Sequence, residues 1–375
     1  MFTTKKIAAV SVINDLVTDN RVNKTCLVLK ECGYDVVLIG RKLPASLDLP
    51  AWPYRAVRMN LLFKSGPLFY LFFNLRLFLS LLFKKSDLLY SNDLDTLLPN
   101  FLVSRLKRIP LIYDSHELFC EVPELQNSKL KRKIWLSIES WIVPKLKMCI
   151  TVNDSIARIF SEKYKVPFTA IRNISDYPND FVAKSREELK LPLDKKIILL
   201  QGAGINVDRG AEELIDAMEY IDQAILIIIG SGDVWENLKE KIVVQNLSHK
   251  IKLIYKIPKT GLMHYTHNAD LGLSIDKNTN LNYYYSLPNK VFDYINAGVP
   301  LLASHLPEIE KIIKEYNVGD FITDHLPLNI AAKINELLSS HKLITYKENC
   351  LKAKSELNWT SEKLKLIKLI EKAGS

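Results

Sequence analysis

Cysteine and glycine are scarce in this chain of 375 residues, and both shortages narrow what it can be. The five cysteines are odd in number, scattered and free of any C-x-x-C pair, which favours reduced thiols in a cytosolic protein. Thirteen glycines against 48% hydrophobic residues favour a packed globular chain over a disordered one. The first apolar run ends at Asn14-Asp15, too early for a secretory signal.

Several catalytic motifs are missing too. The sequence has no G-x-S-x-G elbow, no H-E-x-x-H helix and no Cys/His nucleophile pair, which argues against the common hydrolase classes. His264 and His267 are spaced as metal ligands could be, but no neighbouring Cys or Glu completes a set. We therefore predict no metal site.

Negative charge is lacking in the first half of the chain. Residues 1–185 carry 27 Lys and Arg against 17 Asp and Glu, a net +10, whereas residues 186–375 carry 24 against 25, a net −1. Such asymmetry points to nucleic acid or an anionic membrane surface, although a merely basic soluble surface has the same counts. Because no DNA-recognition element is recognisable, we predict no nucleic-acid partner and favour the membrane surface.

Apolar runs alternate with amphipathic segments in both halves, and this βαβ pattern predicts parallel sheets covered by helices. The pattern breaks near residues 180–192, so we predict two Rossmann-like domains, 1–185 and 186–355, and a last helix within 356–375 that crosses back to the first domain. The predicted strands are Ile7–Val12, Asp35–Ile39, Leu88–Ser91, Pro110–Tyr113, Cys149–Val152, Thr169–Ile171, Lys196–Leu200, Ala224–Ile229, Ile251–Tyr255, Leu271–Ile275 and Val299–Ala303.

Polar side chains gather where the strands of the first domain should end. Ligands bind at the carboxyl ends of strands in such sheets, so we predict a single polar cleft along that edge. The residues concerned are Asn14, Asp15, Asn92, Asp93, Asp114, His116, Glu117, Asn153, Asp154 and Asn173.

Residues 61–83 form the most apolar stretch. Lys64, Pro67, Asn74 and Arg76 interrupt it, which disfavours a transmembrane helix. A helix that covers the sheet is one interpretation. The other is a partly exposed face that dips into a membrane, helped by the basic residues that flank it.

Residues 286–304 carry the clearest local signal in the second domain. Ser286 is a plausible N-cap, Gly298 a natural helix stop, and Val299–Ala303 a buried strand. Lys290 and Asp293, three residues apart, share one side of the helix near its start. This pattern suits an anionic ligand with hydroxyl groups, although an ordinary helix with a solvated polar face would also give it.

Two glycine-rich turns follow predicted strands of the second domain. The first runs from Gln201 to Gly210 and contains Gly202, Gly204 and Arg209, and the second is Gly230-Ser-Gly-Asp233. A turn that feeds a helix can bind phosphate through free N–H groups, and Arg209 can supply a cation. Neither matches G-x-G-x-x-G or a P-loop, so simple strand–helix turns remain the alternative.

Taken together, these motifs resemble the retaining GT-B glycosyltransferases of family 4, over nearly the whole chain and in the right order. The resemblance implies two Rossmann-like domains whose parallel sheets face a central cleft. The motifs that carry it are Asp19-Asn-Arg21-Val22, Asp114-Ser-His-Glu117, the Gly202…Arg209-Gly210 loop, Gly230-Ser-Gly-Asp233, Leu287-Pro-Asn-Lys-Val-Phe-Asp-Tyr294 and Ala297-Gly-Val-Pro300.

What the family does implies roles for particular residues here. The C-terminal domain would hold a nucleotide-sugar donor, with Arg209 and Lys290 on its diphosphate and Asp293 on the ribose hydroxyls. His116 would stand beside the transferred sugar. The other donor-binding candidates are Gly202, Gly204, Gly230, Asn289 and Val291, and those on the acceptor side are Asp15, Arg21, Asp93 and Glu117.

One position departs from the family. Its usual motif has two glutamates separated by seven residues, whereas here Tyr285 and Asp293 stand in their places. By the resemblance, the acceptor is a glycan or a lipid-linked sugar, and no metal or other cofactor is needed. From its scattered cysteines we expect the protein in the cytoplasm, at the inner face of the membrane if its basic half docks there. A sugar-nucleotide epimerase of the same shape and a non-catalytic nucleotide-sugar-binding subunit are the alternatives.

Overall fold

The computed structural model describes residues 5–17, 19–43, 46, 48–126, 128–175, 177 and 180–374. It contains two compact α/β units. The first holds the described residues up to Asn173 together with those from Glu362 onward, and the second holds Ile174–Ser361. The division in the middle of the chain therefore falls twelve residues before the predicted domain boundary at 185/186.

The first unit is built on a seven-stranded parallel sheet with strand order β3-β2-β1-β4-β5-β6-β7. Its strands are β1 (Ile7–Asp15), β2 (Asp35–Arg41), β3 (Arg55–Met59), β4 (Leu88–Asn92), β5 (Leu111–Ser115), β6 (Met148–Thr151) and β7 (Phe168–Ala170). Its helices are α1 (Asn20–Glu31), α2 (Gly66–Phe83), α3 (Leu94–Lys107), α4 (Pro123–Gln126), α5 (Lys129–Ile142), α6 (Asp154–Tyr164) and, from the end of the chain, α15 (Trp359–Gly374).

The second unit has a six-stranded parallel sheet with strand order β10-β9-β8-β11-β12-β13. Its strands are β8 (Lys196–Gly202), β9 (Ala224–Gly230), β10 (Ile251–Tyr255), β11 (Leu271–Ser274), β12 (Leu301–Ala303) and β13 (Gly319–Phe321). Its helices are α7 (Ala211–Ala217), α8 (Trp235–Val244), α9 (Lys259–Asn268), α10 (Leu281–Tyr284), α11 (Asn289–Ala297), α12 (Pro307–Tyr316), α13 (Pro327–Ser339) and α14 (Lys342–Ala353). Short 3-10 helices lie at Phe119–Glu121, Val143–Lys145 and Met218–Tyr220.

The two Rossmann-like parallel sheets confirm the predicted fold class. Central strands such as β8 and β9 are continuous apolar runs because helices cover both faces of the sheet. Two edge strands, β3 and β13, escaped the sequence analysis. The Arg-Ala-Val-Arg-Met sequence of β3 is polar and half-exposed, and β13 has only three residues, so neither has the apolar run of a central strand.

The apolar stretch 61–83 contains α2, which has one buried face, as expected of a helix that covers the sheet, and one exposed face. Phe69, Phe73, Leu77 and Leu81, each four residues apart, are buried in the first unit. The opposite face exposes a row of leucines and a phenylalanine, namely Leu68, Leu71, Leu75, Leu79 and Phe83. By length and composition alone, α2 could cross a membrane. This criterion is weak, because core helices of soluble proteins also meet it. Of the 18 residues of α2, 22% are buried.

The last helix, α15, is tied to the first unit by polar contacts at both of its ends. The Glu362 carboxylate accepts from the backbone N–H of Arg172 at 3.0 Å, and the Lys6 ammonium donates to the Gly374 carbonyl at 2.8 Å. Along its length, one face of α15 is buried at Glu362, Leu366, Ile370 and Ala373.

Candidate active site

Helix α11 brings two polar side chains to the carboxyl-terminal edge of the second sheet. It begins at Asn289, not after a Ser286 cap as the sequence indicated, because Pro288 is the residue before the first helical turn and the Ser286 hydroxyl donates instead to the Tyr283 carbonyl at 2.8 Å. Gly298 ends the helix with φ 71°, as predicted. Lys290 and Asp293 are both buried, so a simple solvated polar face is ruled out.

Lys290 and Arg209 meet at Asp276, a fully buried carboxylate that follows β11. Nη1 of Arg209 lies 2.6 Å from Oδ2 of Asp276, and Nζ of Lys290 lies 3.3 Å from Oδ1. The Arg209 guanidinium also stacks 4.0 Å over the ring of Tyr283. Two cations therefore share one anion, and the cluster keeps a net charge of +1 that suits an anionic ligand.

Burial and charge act in opposite directions on this cluster. Burial would raise the pKa of Asp276, but Lys290 and Arg209 lower it overall, so the carboxylate stays ionised. The pKa of Lys290 is lowered by burial, an effect that Asp276 opposes and Arg209 adds to. Asp276 therefore preserves the positive charge of Lys290.

The glycine-rich loop after β8 is fixed against the turn after β9. The N–H of Ile205 donates to the Ser231 carbonyl at 2.7 Å, and the N–H of Val207 donates to the Asp233 carboxylate at 3.0 Å. Gly230 has no room for a side chain, because a Cβ there would lie 2.1 Å from the Gly202 carbonyl oxygen. Gly204 is exposed on this loop. The two turns thus form one surface that presents backbone beside Arg209.

Asp293 is buried, and a chain of hydrogen bonds holds its carboxylate in position. The Gln201 amide donates to Oδ2 of Asp293 at 3.2 Å, and the Thr266 hydroxyl donates to the Gln201 amide oxygen at 2.7 Å. Gln201 lies in β8, immediately before Gly202, so Asp293 is connected to the glycine-rich loop.

The structure places the other two α11 candidates differently. Asn289 is exposed at the helix start, whereas Val291 is wholly buried, with its N–H donating to the Pro288 carbonyl.

The carboxyl edge of the first sheet holds a second cluster, centred on His116. Nδ1 of His116 lies 3.1 Å from the Asp93 carboxylate, and Nε2 lies 3.2 Å from the Asn92 amide oxygen and 3.7 Å from Oδ2 of Asp114. Burial alone would lower the pKa of His116, but Asp93 and Asp114 outweigh it, so this pKa is raised well above its ordinary value. The two carboxylates therefore favour the imidazolium form of His116.

Arg21 and Asp15, two of the acceptor-side candidates, are engaged within the protein. The buried Arg21 guanidinium makes a bidentate pair with Asp114, at 2.7 and 3.1 Å, and donates to the Ile171 carbonyl at 2.8 Å. The Asp15 carboxylate accepts from Arg58 at 3.4 Å and contacts the Ser46 hydroxyl. Both therefore position other groups at this edge.

Asp93 contacts His116 in space, and Glu117 follows it in the sequence. Asp93 adopts φ 58° and accepts from the His116 N–H at 2.8 Å. Glu117 is half-buried, and its carbonyl accepts from the Ser115 hydroxyl at 2.8 Å. Within the described ranges, no three His, Cys, Asp or Glu side chains lie close enough together to hold a metal ion.

Asp276 is the residue that sequence reasoning missed. It belongs to no motif and lies 67 residues beyond Arg209. The available signal was its position directly after the apolar strand Leu271–Ile275, because β11 pairs with β8 and so brings the two strand ends together.

Two families match the two halves of the chain. Residues 20–175 match Glycosyltransferase Family 4, and residues 181–353 match Glycosyl transferases group 1. No curated protein matches the sequence. With the two parallel Rossmann-like sheets, these matches define a glycosyltransferase of the GT-B class. The chain belongs to the family 4-like GT-B glycosyltransferases, which confirms the family and the fold that its motifs indicated.

Solved structures of low sequence identity share the fold. Sucrose-phosphate synthase from Thermosynechococcus elongatus is 18% identical, with 98% of this chain and 99% of that chain covered and a TM-score of 0.78. Anabaena HepE in complex with UDP-glucose is 14% identical, with 97% and 99% covered and a TM-score of 0.75. A putative UDP-N-acetylglucosamine 2-epimerase from Listeria monocytogenes is 12% identical, with 98% and 96% covered and a TM-score of 0.66.

Proposed function

We propose that this glycosyltransferase moves a sugar, with retention of anomeric configuration, from a nucleotide-diphosphate sugar to a glycan or lipid-linked acceptor in cell-surface polysaccharide synthesis. One observation carries the donor assignment. Arg209 and Lys290 come from separate elements and converge on Asp276 beside the glycine-rich loop. The complex of HepE, of similar fold, with UDP-glucose supports a nucleotide sugar as the donor class.

The two cations would act on the leaving group. When the glycosidic bond breaks, negative charge grows on the departing diphosphate, and fixed cations stabilise that charge without a metal. The acceptor hydroxyl would attack from the face that the diphosphate leaves and pass its proton to a phosphate oxygen. His116, held at both ring nitrogens by Asp93 and Asn92, would stand beside the transferred sugar.

Donor recognition rests on Asp293 and on the residue in place of the first family acid. Asp293 would accept hydrogen bonds from the ribose hydroxyls, with Gln201 fixing the orientation of its carboxylate. Tyr285 brings a phenol where the family has a carboxylate, so contacts to the donor sugar would differ from those usual in the family. We infer that this protein uses a different sugar or holds the same sugar in a different way.

A donor screen tests the proposal. Purified protein is heated with UDP-, GDP-, ADP- and dTDP-sugars, with and without EDTA, and the unfolding midpoint is recorded. Because a ligand that binds only the folded state stabilises it, one nucleotide class should raise the midpoint, and EDTA should not abolish the rise. No stabilisation by any nucleotide sugar would refute the donor assignment.

Turnover separates this function from its alternatives. An epimerase has a related fold, as the Listeria monocytogenes structure illustrates. An epimerase would convert the donor sugar without an acceptor, a binding subunit would bind it without turnover, and a transferase needs both substrates. Retention is tested by the anomeric configuration of the product, determined by NMR.

The basic first unit supports a peripheral position at the inner face of the membrane. The exposed leucines of α2 form an apolar stripe, and Tyr70 of α2 contacts Trp135 of α5 with ring centroids 5.2 Å apart. Helix α5 adds the basic residues Lys129, Lys131, Arg132 and Lys133 beside the exposed Leu130 and Ile134. Apolar side chains with nearby cations suit an anionic bilayer surface, where a lipid-linked acceptor would reside.

A further inference from the structure

A cavity of about 260 Å³ lies in the first unit, and none of its lining residues is among the proposed donor or acceptor residues. It is formed by the end of β2, the loop between β3 and α2, and the first turns of α2. Its lining residues are Arg41, Lys42, Leu43, Asn60, Leu61, Phe63, Lys64 and Phe69. Three of these eight are cations, none is acidic, and four are apolar, so the cavity combines positive charge with a hydrophobic wall.

The Arg41 guanidinium has an N–H group that could bind a ligand. It lies 4.8 Å over the ring of Phe69, and its buried Nε makes no hydrogen bond among the described residues. A nearby carboxyl group, Asp95, has a pKa raised well above its ordinary value by burial and by Asp93. Burial and Asp93 thus disfavour the charged form of Asp95, which weakens it as a counter-ion for Arg41. A buried N–H without a partner is costly, which a bound oxyanion would relieve.

Other charged groups near the cavity do not neutralise it. Asp15 faces Arg41 across the β1–β2 pairing, but its carboxylate is engaged by Arg58 and by the Ser46 hydroxyl. Arg76 of α2 contacts the Asn60 carbonyl and so adds a further cation at the rim. A phosphoryl group, which carries negative charge and several acceptor oxygens, suits such a set of donors.

The surroundings indicate what the phosphoryl group is attached to. Arg41 ends β2, and His116 follows β5, three strand positions away, so at about 4.8 Å per strand the cavity lies about 14 Å from His116 along the same edge. Phe63 of the lining contacts Phe72 of α2, with ring centroids 5.0 Å apart, so the cavity adjoins the helix that carries the exposed leucine stripe. A molecule that fills this path has a sugar at one end, a phosphate in the middle and a hydrocarbon at the other end.

We propose that this cavity binds the phosphoryl group of an amphiphilic acceptor, with the adjoining hydrocarbon on Phe63 and Leu61. This inference rests on the proposed function, since the acceptor's sugar would then lie towards His116. The proposed ligand is a lipid phosphate. Inorganic phosphate is the competing ligand, because it presents the same phosphoryl oxygens.

Binding of three probes to the purified full chain tests the proposal. Farnesyl phosphate, farnesol and inorganic phosphate are titrated by calorimetry, with the lipids kept below the concentrations at which they form micelles. We expect farnesyl phosphate to bind at least about tenfold more tightly than either of the others, because only it uses both parts of the cavity. Equal binding of farnesol would overturn the role of the cations, and equal binding of inorganic phosphate would overturn the lipid assignment.

Variants locate the binding. Arg41→Gln with Lys64→Gln should weaken farnesyl phosphate about tenfold or more. Lys42→Gln with Lys64→Gln changes exposed residues only and serves if the Arg41 variant fails to fold. The matched control is Lys84→Gln with Lys85→Gln, two exposed lysines at the far end of α2, which should bind as the parent does. Unchanged binding in both cavity variants, or equal loss in the control, would overturn the site.

Nucleotide-sugar binding in the same variants keeps this inference apart from the proposed function. Binding of the donor should be unchanged in the cavity variants, because its residues belong to the second unit. If the parent protein binds farnesyl phosphate through Arg41 and Lys64 but no nucleotide sugar, the donor assignment fails and the cavity assignment stands. The opposite result, donor binding without farnesyl phosphate binding, overturns the cavity alone.

Discussion

Arg209 and Lys290 bind opposite oxygens of one buried carboxylate, at 2.6 and 3.3 Å from Asp276. Neither cation is therefore an ordinary surface charge, and neither has a full counter-ion of its own. An anionic ligand would complete the neutralisation that Asp276 begins. Chemistry that builds negative charge beside this pair would be favoured, because the positive charge is already in place.

Replacing either cation should slow sugar transfer much more than it weakens donor binding. Interactions that strengthen in the transition state raise turnover, and losing one such group typically costs about 100-fold or more in rate. We expect Arg209→Ala and Lys290→Ala to fold and still bind donor weakly. The measurement is kcat for transfer, with Lys239→Ala, an exposed lysine, as the control. Rates near the parent's in both variants would show that the diphosphate lies elsewhere.

Asp276→Asn should make activity more sensitive to alkaline pH. The Asp276 carboxylate opposes the fall that burial causes in the pKa of Lys290, so removing its charge lets that pKa fall further. Lys290 would then lose its proton at lower pH, and the alkaline limb of the rate profile should move towards neutrality. Asp270→Asn is the matched control, since Asp270 also binds two cations, Arg186 and Lys196, but precedes β11 at the opposite edge of the sheet. Identical pH profiles for parent and Asp276→Asn would contradict this role.

Asp293→Asn should weaken binding of the nucleoside diphosphate. Hydrogen bonds to a charged carboxylate are worth about 1.5–3 kcal/mol, and the amide keeps the shape but not the charge, so affinity should fall about tenfold or more. Calorimetric titration measures the dissociation constant, with Asp320→Asn as a control because Asp320 pairs with Lys333 elsewhere in the unit. A dissociation constant equal to the parent's would remove Asp293 from the ribose site.

His116 should stabilise the fold in a pH-dependent way. Its pKa is raised in the folded state, so its stabilising charge interactions with Asp93 and Asp114 are fully present below the ordinary histidine pKa of about 6.5 and are lost as pH rises through the folded-state pKa. The melting-temperature difference between parent and His116→Gln should be largest at mildly acidic pH and shrink at alkaline pH. The exposed His249→Gln provides the comparison. A difference that stays constant with pH would rule out the imidazolium.

The α2 face should bind anionic vesicles. Apolar side chains enter the interface while nearby lysines attract the headgroups, so binding should weaken as salt screens the charges. Vesicle sedimentation at low and high salt compares the parent with a triple variant, Leu71→Ser, Leu75→Ser and Leu79→Ser. Leu326→Ser with Leu328→Ser, two exposed leucines of the second unit, should leave binding unchanged. Full recovery of the parent in the supernatant at low salt would reject membrane docking.

The sequence predicted the two parallel sheets because central strands of such sheets are continuous apolar runs, as in β8 and β9. It also predicted which elements carry Arg209 and Lys290, since glycine-rich turns and helix stops leave local signatures. It did not predict Asp276. A lone aspartate acquires its role only from the pairing of β8 with β11, and pairing between strands distant in sequence leaves no local pattern.

The side chains of the first-unit edge show the same limit. Asp114 was recognised as a polar group at a strand end and Arg21 as part of a family motif, but their mutual pairing depends on how α1 packs beside β5. The sequence could not tell which of the polar residues would face a ligand and which would hold a neighbour. The β2–α2 cavity was missed because it is assembled from three chain segments, none with a motif of its own.

Helix α15 determines when the first unit can be completed during synthesis. The buried face of this helix and its contacts with Arg172 and Lys6 belong to the first unit, yet the helix is translated after the whole second unit. A growing chain can form the second sheet while the first unit still lacks one of its helices. The first unit is therefore complete only in chains translated beyond residue 362. Chains that end earlier have an incomplete first unit, which leaves apolar surface exposed to aggregation or degradation.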